Sequence, residues 1–132
     1  LKKFNWRCDV YLLVVYDSKT GNVKRFVHKL DLEHLQIADD LIVNVPFVLV
    51  TYTTGSGEIP LTTSKFLEEN SDYLRGVAVS GNRNWGNNFA IVADIISSKY
   101  SVPILLKFEL SGTQKDIQTF KERLENIETH RT

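Results

Sequence analysis

The chain has 132 residues, enough for one domain with a sizeable core. Its 16 Lys and Arg balance 16 Asp and Glu, which argues against binding nucleic acid or a membrane surface through bulk charge. A single cysteine, Cys8, excludes an intrachain disulfide and a cysteine-rich metal site, and fits a reducing, cytoplasmic setting.

The longest uninterrupted apolar run is residues 10–16, VYLLVVY. It is far short of the about 20 residues a membrane span needs, and no small-residue cleavage pattern follows it. It reads as a strand buried on both faces. The run stops at Asp17-Ser18-Lys19-Thr20-Gly21-Asn22, and a helical stripe of Val23, Phe26, Val27 and Leu30 begins at once. Residues 35–43 hold a weak strand, broken by Asp39-Asp40. Residues 46–52, PFVLVTY, form a second clear strand, with Pro46 confined to its start. A loop, residues 53–58, leads to Pro60, which suits the first turn of a helix whose face carries Ile59, Thr63, Phe66 and Leu67. Residues 74–79 read as a strand, and residues 80–86, SGNRNWG, as a second polar loop. Phe89, Val92, Ala93, Ile96 and Tyr100 then mark a helix. Residues 102–108, VPILLKF, give the last strand. Thr113 and Asp116 form an N-cap pair for a final helix striped by Ile117, Phe120, Leu124 and Ile127.

The order β-α-β-β-α-β-α-β-α predicts an α/β fold, a doubly wound five-stranded parallel sheet of order 2-1-3-4-5 with helices on both faces. The helix missing between the second and third strands makes the second an edge strand joined to the third by a short connection. Ligands of such sheets sit beyond the carboxyl ends of the strands, at the switch point between strands one and three. The loops at residues 17–22, 51–58 and 80–86 converge there.

Ser18, Thr20 and Gly21 place hydroxyl donors and open backbone just before a helix whose first N–H groups lack internal partners. That makes a cradle for a phosphate; the same spacing suits an N-capped helix that binds nothing. No G-x-x-x-x-G-K-[ST] occurs, and Gly55-Ser56-Gly57 lacks the third glycine of a dinucleotide loop. Trp85, between Asn84 and Gly86, either stacks on a planar ring or caps the edge of the core. His28, His34 and His130 are scattered on predicted helices or ends, and neither an H-x-x-x-H nor a paired-carboxylate site emerges. Asp39-Asp40 and Glu68-Glu69 read as solvated surface, and Glu109 lies near the carboxyl end of the sheet.

DSKTGNVKRF resembles the phosphate loop of flavodoxins, and PFVLVTYTTGSGEIP, RGVAVSGNRNWGNNFA and VPILLKFELSGT resemble the NrdI family. Those proteins are small flavodoxin-like FMN proteins that activate class Ib, manganese-using ribonucleotide reductase. The resemblance runs from about residue 13 to residue 124, within a single flavodoxin-like domain at 10–132; residues 1–9 form an N-terminal extension with no assigned role. It implies an FMN phosphate held by Ser18, Thr20, Gly21, Asn22 and Val23. It places Thr51, Tyr52, Thr53, Thr54, Gly55 and Gly57 on one side of the isoalloxazine. Gly81, Asn82, Trp85, Gly86, Asn88 and Phe89 lie on the other, with Trp85 stacked on the ring. Gly55 or Gly57 would turn a backbone carbonyl toward the ring on reduction. Lys19 departs from the neutral loops of many flavodoxins.

The function the resemblance implies is an accessory redox activator, not a conventional turnover enzyme. Reduced FMN converts O₂ to superoxide for the dimanganese site and tyrosyl radical of the reductase's small subunit, after reduction by another protein. The alternative is a general electron-carrier flavodoxin. A phosphoacceptor receiver shares the strand order, but Asp17 stands alone after strand one and strand three ends Thr51-Tyr52-Thr53; only Lys107 fits.

Overall fold

The computed structural model describes residues 12–129, with side chains through residue 127. The predicted extension at residues 1–9, Cys8, the first residues of the opening apolar run and His130 lie outside the described residues. The elements are β1 (Leu13–Tyr16), α1 (Asn22–Leu30), β2 (His34–Gln36), β3 (Phe47–Tyr52), α2 (Leu61–Asn70), β4 (Leu74–Gly81), α3 (Ile91–Tyr100), β5 (Ile104–Glu109) and α4 (Gln114–Thr129). Short 3₁₀ turns at Ser71–Tyr73 and Arg83–Asn88 precede β4 and α3. The sheet has five parallel strands in the order β2-β1-β3-β4-β5. Among the described residues, no helix is long and apolar enough to cross a membrane.

The continuous apolar strands are buried on both faces because each face carries its own core. Val14, Tyr16, Val48, Val50 and Ala78 point to α1 and α4 and meet Val23, Phe26, Val27, Ile117, Phe120 and Leu124. Leu13, Val15, Leu49, Val77 and Val79 point to α2 and α3 and meet Phe66, Leu67, Val92, Ala93 and Ile96. Phe26 stacks on Phe108 with centroids 4.1 Å apart and meets Phe120 edge-on at 5.7 Å, tying α1, β5 and α4 together. In β5 the pairing skips a residue between Ile104 and Leu106, so Leu105 and Leu106 both join the first core.

The weak strand expected within residues 35–43 is the three residues His34–Gln36, starting one residue earlier and ending well before Asp39-Asp40. The chain from 37 to 46 has no helix. It instead lays Ile37, Leu41, Val43 and Val45 against the second core. Asn70, buried at the end of α2, holds it there: its Oδ1 accepts the Val43 N–H at 2.7 Å and its Nδ2 donates to the Leu41 carbonyl at 3.2 Å. Pro60 stands one position before α2, at the N-cap, and accepts the Ser64 N–H at 2.9 Å. The N-cap pair of α4 closes reciprocally: Thr113 N–H donates to Asp116 Oδ2 at 2.8 Å and Asp116 N–H to Thr113 Oγ1 at 3.1 Å.

Candidate functional site

A cavity of about 770 Å³ opens at the carboxyl ends of β1, β3 and β4, the switch point of the sheet. Its size suits a drug-sized or cofactor-sized ligand. The three predicted loops meet there. Ser18, Thr20, Asn22 and Val23 line it from the β1–α1 turn, Tyr52, Thr53, Thr54 and Gly55 from the end of β3, and Gly81, Asn82 and Trp85 from the end of β4.

The turn after β1 leaves the start of α1 open toward the cavity. Gly21 is the N-cap of α1, at φ 96°, a conformation that favours glycine. The Lys24 N–H is taken by Ser18 Oγ at 3.2 Å and the Arg25 N–H by the Gly21 carbonyl at 2.9 Å. The N–H groups of Asn22 and Val23 have no protein acceptor among the described residues. They sit at the positive end of a helix dipole. Lys19 also lines the cavity. Arg25 lies close by, but its guanidinium is committed to Asn22 Oδ1 at 2.7 Å and Ser111 Oγ at 3.1 Å.

The far wall is apolar and aromatic. Trp85, 36% exposed, stands in the 3₁₀ turn that Asn82 caps through its side chain to the Asn84 N–H. Burial, and then the Asp17 carboxylate, push the Tyr52 phenol above its usual range. Thr53 is the most telling group on the wall. It is 4% exposed, yet its hydroxyl has no hydrogen-bond partner. Buried hydroxyls are almost always paired. Thr53 is among the residues that line the cavity, although its hydroxyl oxygen is closed to solvent in the free protein, so a polar ligand atom would reach it only with a small shift of the wall.

Other expected residues shape the walls without lining them. Thr51 is fully buried and its hydroxyl pairs with Thr63 at 2.7 Å. Gly57 closes the loop after β3, its N–H donating to the Thr54 carbonyl at 2.9 Å. Gly86 turns the chain ahead of α3 and accepts the Phe89 N–H at 2.9 Å. Asn88 is exposed, and the Phe89 ring lies under the Arg83 guanidinium at 4.4 Å. Glu109 accepts the Arg83 N–H at 3.2 Å and so braces the 83–88 turn. Lys107 pairs with Asp94 at 2.6 Å and does not line the cavity, which removes the one receiver-like feature of the sequence.

Six lining residues are not among the expected site residues: Asp17, Pro60, Leu61, Thr62, Ser80 and Leu110, of which Asp17 and Ser80 fall within the expected loops. Asp17 is buried, and its Oδ2 accepts hydroxyls from Thr62 and, at 2.6 Å, from Thr63. It anchors the start of α2 to the end of β1, so its charge serves the wall and not a phosphoacceptor role.

The residues present therefore fit a ligand with an anionic end and a planar, partly polar body. The family model described as NrdI Flavodoxin like matches residues 14–122. The chain is 54% identical over 117 residues to Protein NrdI of Bacillus licheniformis, covering 88% of this chain and 89% of that one. It is 48% identical over 123 residues to the SPbeta prophage-derived protein NrdI of Bacillus subtilis, covering 90% and 95%. Among solved structures, a short-chain flavodoxin associated with a non-canonical PDU bacterial microcompartment superposes with a TM-score of 0.72 at 18% identity, over 93% of this chain and 99% of that chain. Oxidised flavodoxin 2 from Bacillus cereus superposes with a TM-score of 0.63 at 17% identity, over 92% and 99%. These last two similarities concern the fold. With a family match over most of its length and relatives at about half identity, the chain belongs to the NrdI flavodoxin-like family.

Proposed function

We propose that the cavity binds FMN and that the protein, with its flavin reduced, supplies superoxide to the small subunit of a class Ib ribonucleotide reductase. There the oxidant serves assembly of the dimanganese–tyrosyl radical cofactor. The observation that carries the flavin reading is one cavity joining the open helix start at Asn22 and Val23 to a wall with an unpaired buried hydroxyl at Thr53. Family membership supplies the rest.

In this reading Ser18, Thr20, Gly21, Asn22 and Val23 hold the phosphate, with Lys19 adding charge. Tyr52–Gly55 and Gly81–Trp85 take the two sides of the ring, and Thr53 meets a polar atom of the ligand. Thr51, Gly57, Gly86, Asn88 and Phe89 keep those two walls in place. The bound flavin supplies the redox chemistry, passing one electron to O₂ to give superoxide. The chain would hold the ring at the carboxyl ends of the central strands, where the cavity opens to O₂ and to a partner protein. A separate reductant protein restores the reduced flavin, in a reducing, cytoplasmic setting. The overall neutrality of the chain suits a dedicated partner better than the electrostatic steering of a general carrier.

Two measurements test this. The purified protein should show a flavin absorption spectrum or take up added FMN, with FAD binding more weakly. A colourless protein that binds no FMN sinks the flavin reading. The reduced protein, with O₂ and the manganese-loaded small subunit from the same organism, should then generate a tyrosyl radical seen by electron paramagnetic resonance. If a carrier flavodoxin generates it equally well, the general electron-carrier reading takes its place.

A further inference from the structure

We infer that Leu110 is an apolar cover of the cavity, held in place by a backbone conformation that its own side chain disfavours. The inference rests on the flavin reading above. Leu110 lies in the loop between β5 and α4, the FELSGT segment, which none of the three convergent loops includes. It lines the cavity and is 48% exposed.

Its φ is 54°, in the left-handed region. There Cβ crowds the carbonyl oxygen, so a leucine is strained where a glycine is not. Four non-glycine residues of the described chain have positive φ: Asp31, Ala90, Ser101 and Leu110. Asp31 and Ser101 are C-caps of α1 and α3, where this conformation is the ordinary way to end a helix. Leu110 ends no helix.

The surrounding bonds fix it from both sides. Its N–H donates to the Gly81 carbonyl at 3.1 Å, and its carbonyl accepts the Ser80 hydroxyl at 2.7 Å. The following residues are clamped to α1. Ser111 Oγ donates to Asn22 Oδ1 at 2.8 Å, and Lys29 Nζ donates to the Ser111 and Gly112 carbonyls at 3.3 and 3.4 Å. Gly112, at φ 76°, packs so tightly that a Cβ would come within 2.7 Å of Phe26 Cδ1. This is a backbone over-determined by its neighbours, the setting in which strain persists.

For folding alone, leucine is a poor choice here. It joins neither core cluster, it is half exposed, and glycine would sit without strain. What leucine adds is an apolar group on the wall of the cavity, bonded through its N–H to Gly81 on one side and followed by Ser111, which bonds Asn22 of the helix start, on the other. An apolar side chain offers a phosphate nothing. Its partner is the ring or alkyl portion of the ligand, which it shields from water.

The test compares Leu110→Ala, Leu110→Gly and Leu110→Asn with the wild type. Thermal melts of the flavin-free proteins read the strain; calorimetric titration with FMN and with riboflavin reads the cover. Leu110→Gly should melt about 2–5 °C above Leu110→Ala, the reverse of the usual order. All three variants should bind FMN and riboflavin about 3–10-fold more weakly, and the two flavins should lose equally. Asparagine tolerates the left-handed region, so Leu110→Asn keeps the loop folded while removing the apolar surface. Unchanged flavin binding in Leu110→Gly and Leu110→Asn overturns the inference. So does a loss confined to FMN, which would act through Ser111 and Asn22 on the phosphate end. Leu110→Ala melting at or above Leu110→Gly overturns the strain. A wild-type protein that takes up neither flavin fails before any variant is made; it overturns the proposed function and this inference with it.

Discussion

Thr53→Val should make the flavin-free protein more stable and the flavin complex weaker. The hydroxyl is buried, on a residue 4% exposed, and finds no partner. An unsatisfied buried polar group costs about 1–3 kcal/mol. Valine keeps the shape and the β-branch suited to the end of a strand, and replaces the hydroxyl with a methyl that has no such need. Recovering about 1–2 kcal/mol of that cost should raise the melting temperature by about 3–8 °C in a domain of this size. If the hydroxyl instead pairs with the bound flavin, its removal loses one neutral hydrogen bond. That is about 0.5–1.5 kcal/mol, or about 2–12-fold in Kd. Urea unfolding of flavin-free protein and calorimetric titration with FMN read the two effects separately. A less stable flavin-free variant would show that the hydroxyl is satisfied in the free protein. A stabilised variant with unchanged FMN affinity would show that it never meets the ligand.

Trp85→Ala should weaken FMN and riboflavin binding alike, by at least about threefold, because a stacked aromatic pair contributes about 0.5–1.5 kcal/mol beyond its buried area. The melting temperature of the flavin-free protein should barely move, since Trp85 is exposed and joins neither core; a collapse on mutation would mean that it caps the core edge. Gly112→Ala should cost about 2–4 kcal/mol in urea unfolding, from a positive φ and the overlap with Phe26, and a loss below about 1 kcal/mol would mean that the loop yields easily. Burial raises the phenols of Tyr16 and Tyr52, and Asp17 raises Tyr52 further. A raised folded-state value favours the neutral phenol. The stability it contributes is therefore complete below pH about 10 and is lost as pH rises through the folded-state values. Tyr52→Phe should flatten that alkaline loss, and Asp17→Asn should lower the Tyr52 value without returning it to normal; a Tyr52 phenolate that forms in the usual range would refute both.

The sheet was legible because burial on both faces leaves continuous apolar runs, and these survive without any tertiary information. The capping pair at Thr113 and Asp116 was legible for a similar reason, since both partners lie within four residues. The walls of the cavity were legible where small polar residues cluster beside a helix start. Asp17 was not: its partners, Thr62 and Thr63, are 45 and 46 residues away, and a lone acid after a strand carries no period or motif. The second strand was overextended because residues 37–45 continue the apolar pattern, yet those side chains are used in packing against the second core and not in pairing. Leu110 was missed although a signal existed. It is a large apolar residue in a polar turn, the same feature that drew attention to Trp85.

Among the described residues, and leaving aside the helix C-caps Asp31 and Ser101, the strained and unpaired groups gather at one end. Gly81 is their pivot. Its carbonyl holds the Leu110 N–H, and a Cβ at Gly81 would come within 2.7 Å of the Ala90 nitrogen. Ala90 itself has φ 50°, at the N-cap of α3, and is fully buried. Leu110, Ala90 and the Thr53 hydroxyl thus all lie along the carboxyl end of β3, β4 and β5, beside or on the cavity wall. Each detracts from the stability of the free protein, and the two cores on either side of the sheet offset them. A ligand that completes the Thr53 hydroxyl would convert that part of the cost into affinity, and would gain a separate contribution by burying the exposed Leu110 side chain. It then stabilises the fold by RT ln(1 + [L]/Kd), about 2.7 kcal/mol at a hundredfold excess over Kd. On the proposed reading, two of the groups that weaken the free protein, Thr53 and Leu110, also line the cavity, so binding and stability would be coupled through the end of β4.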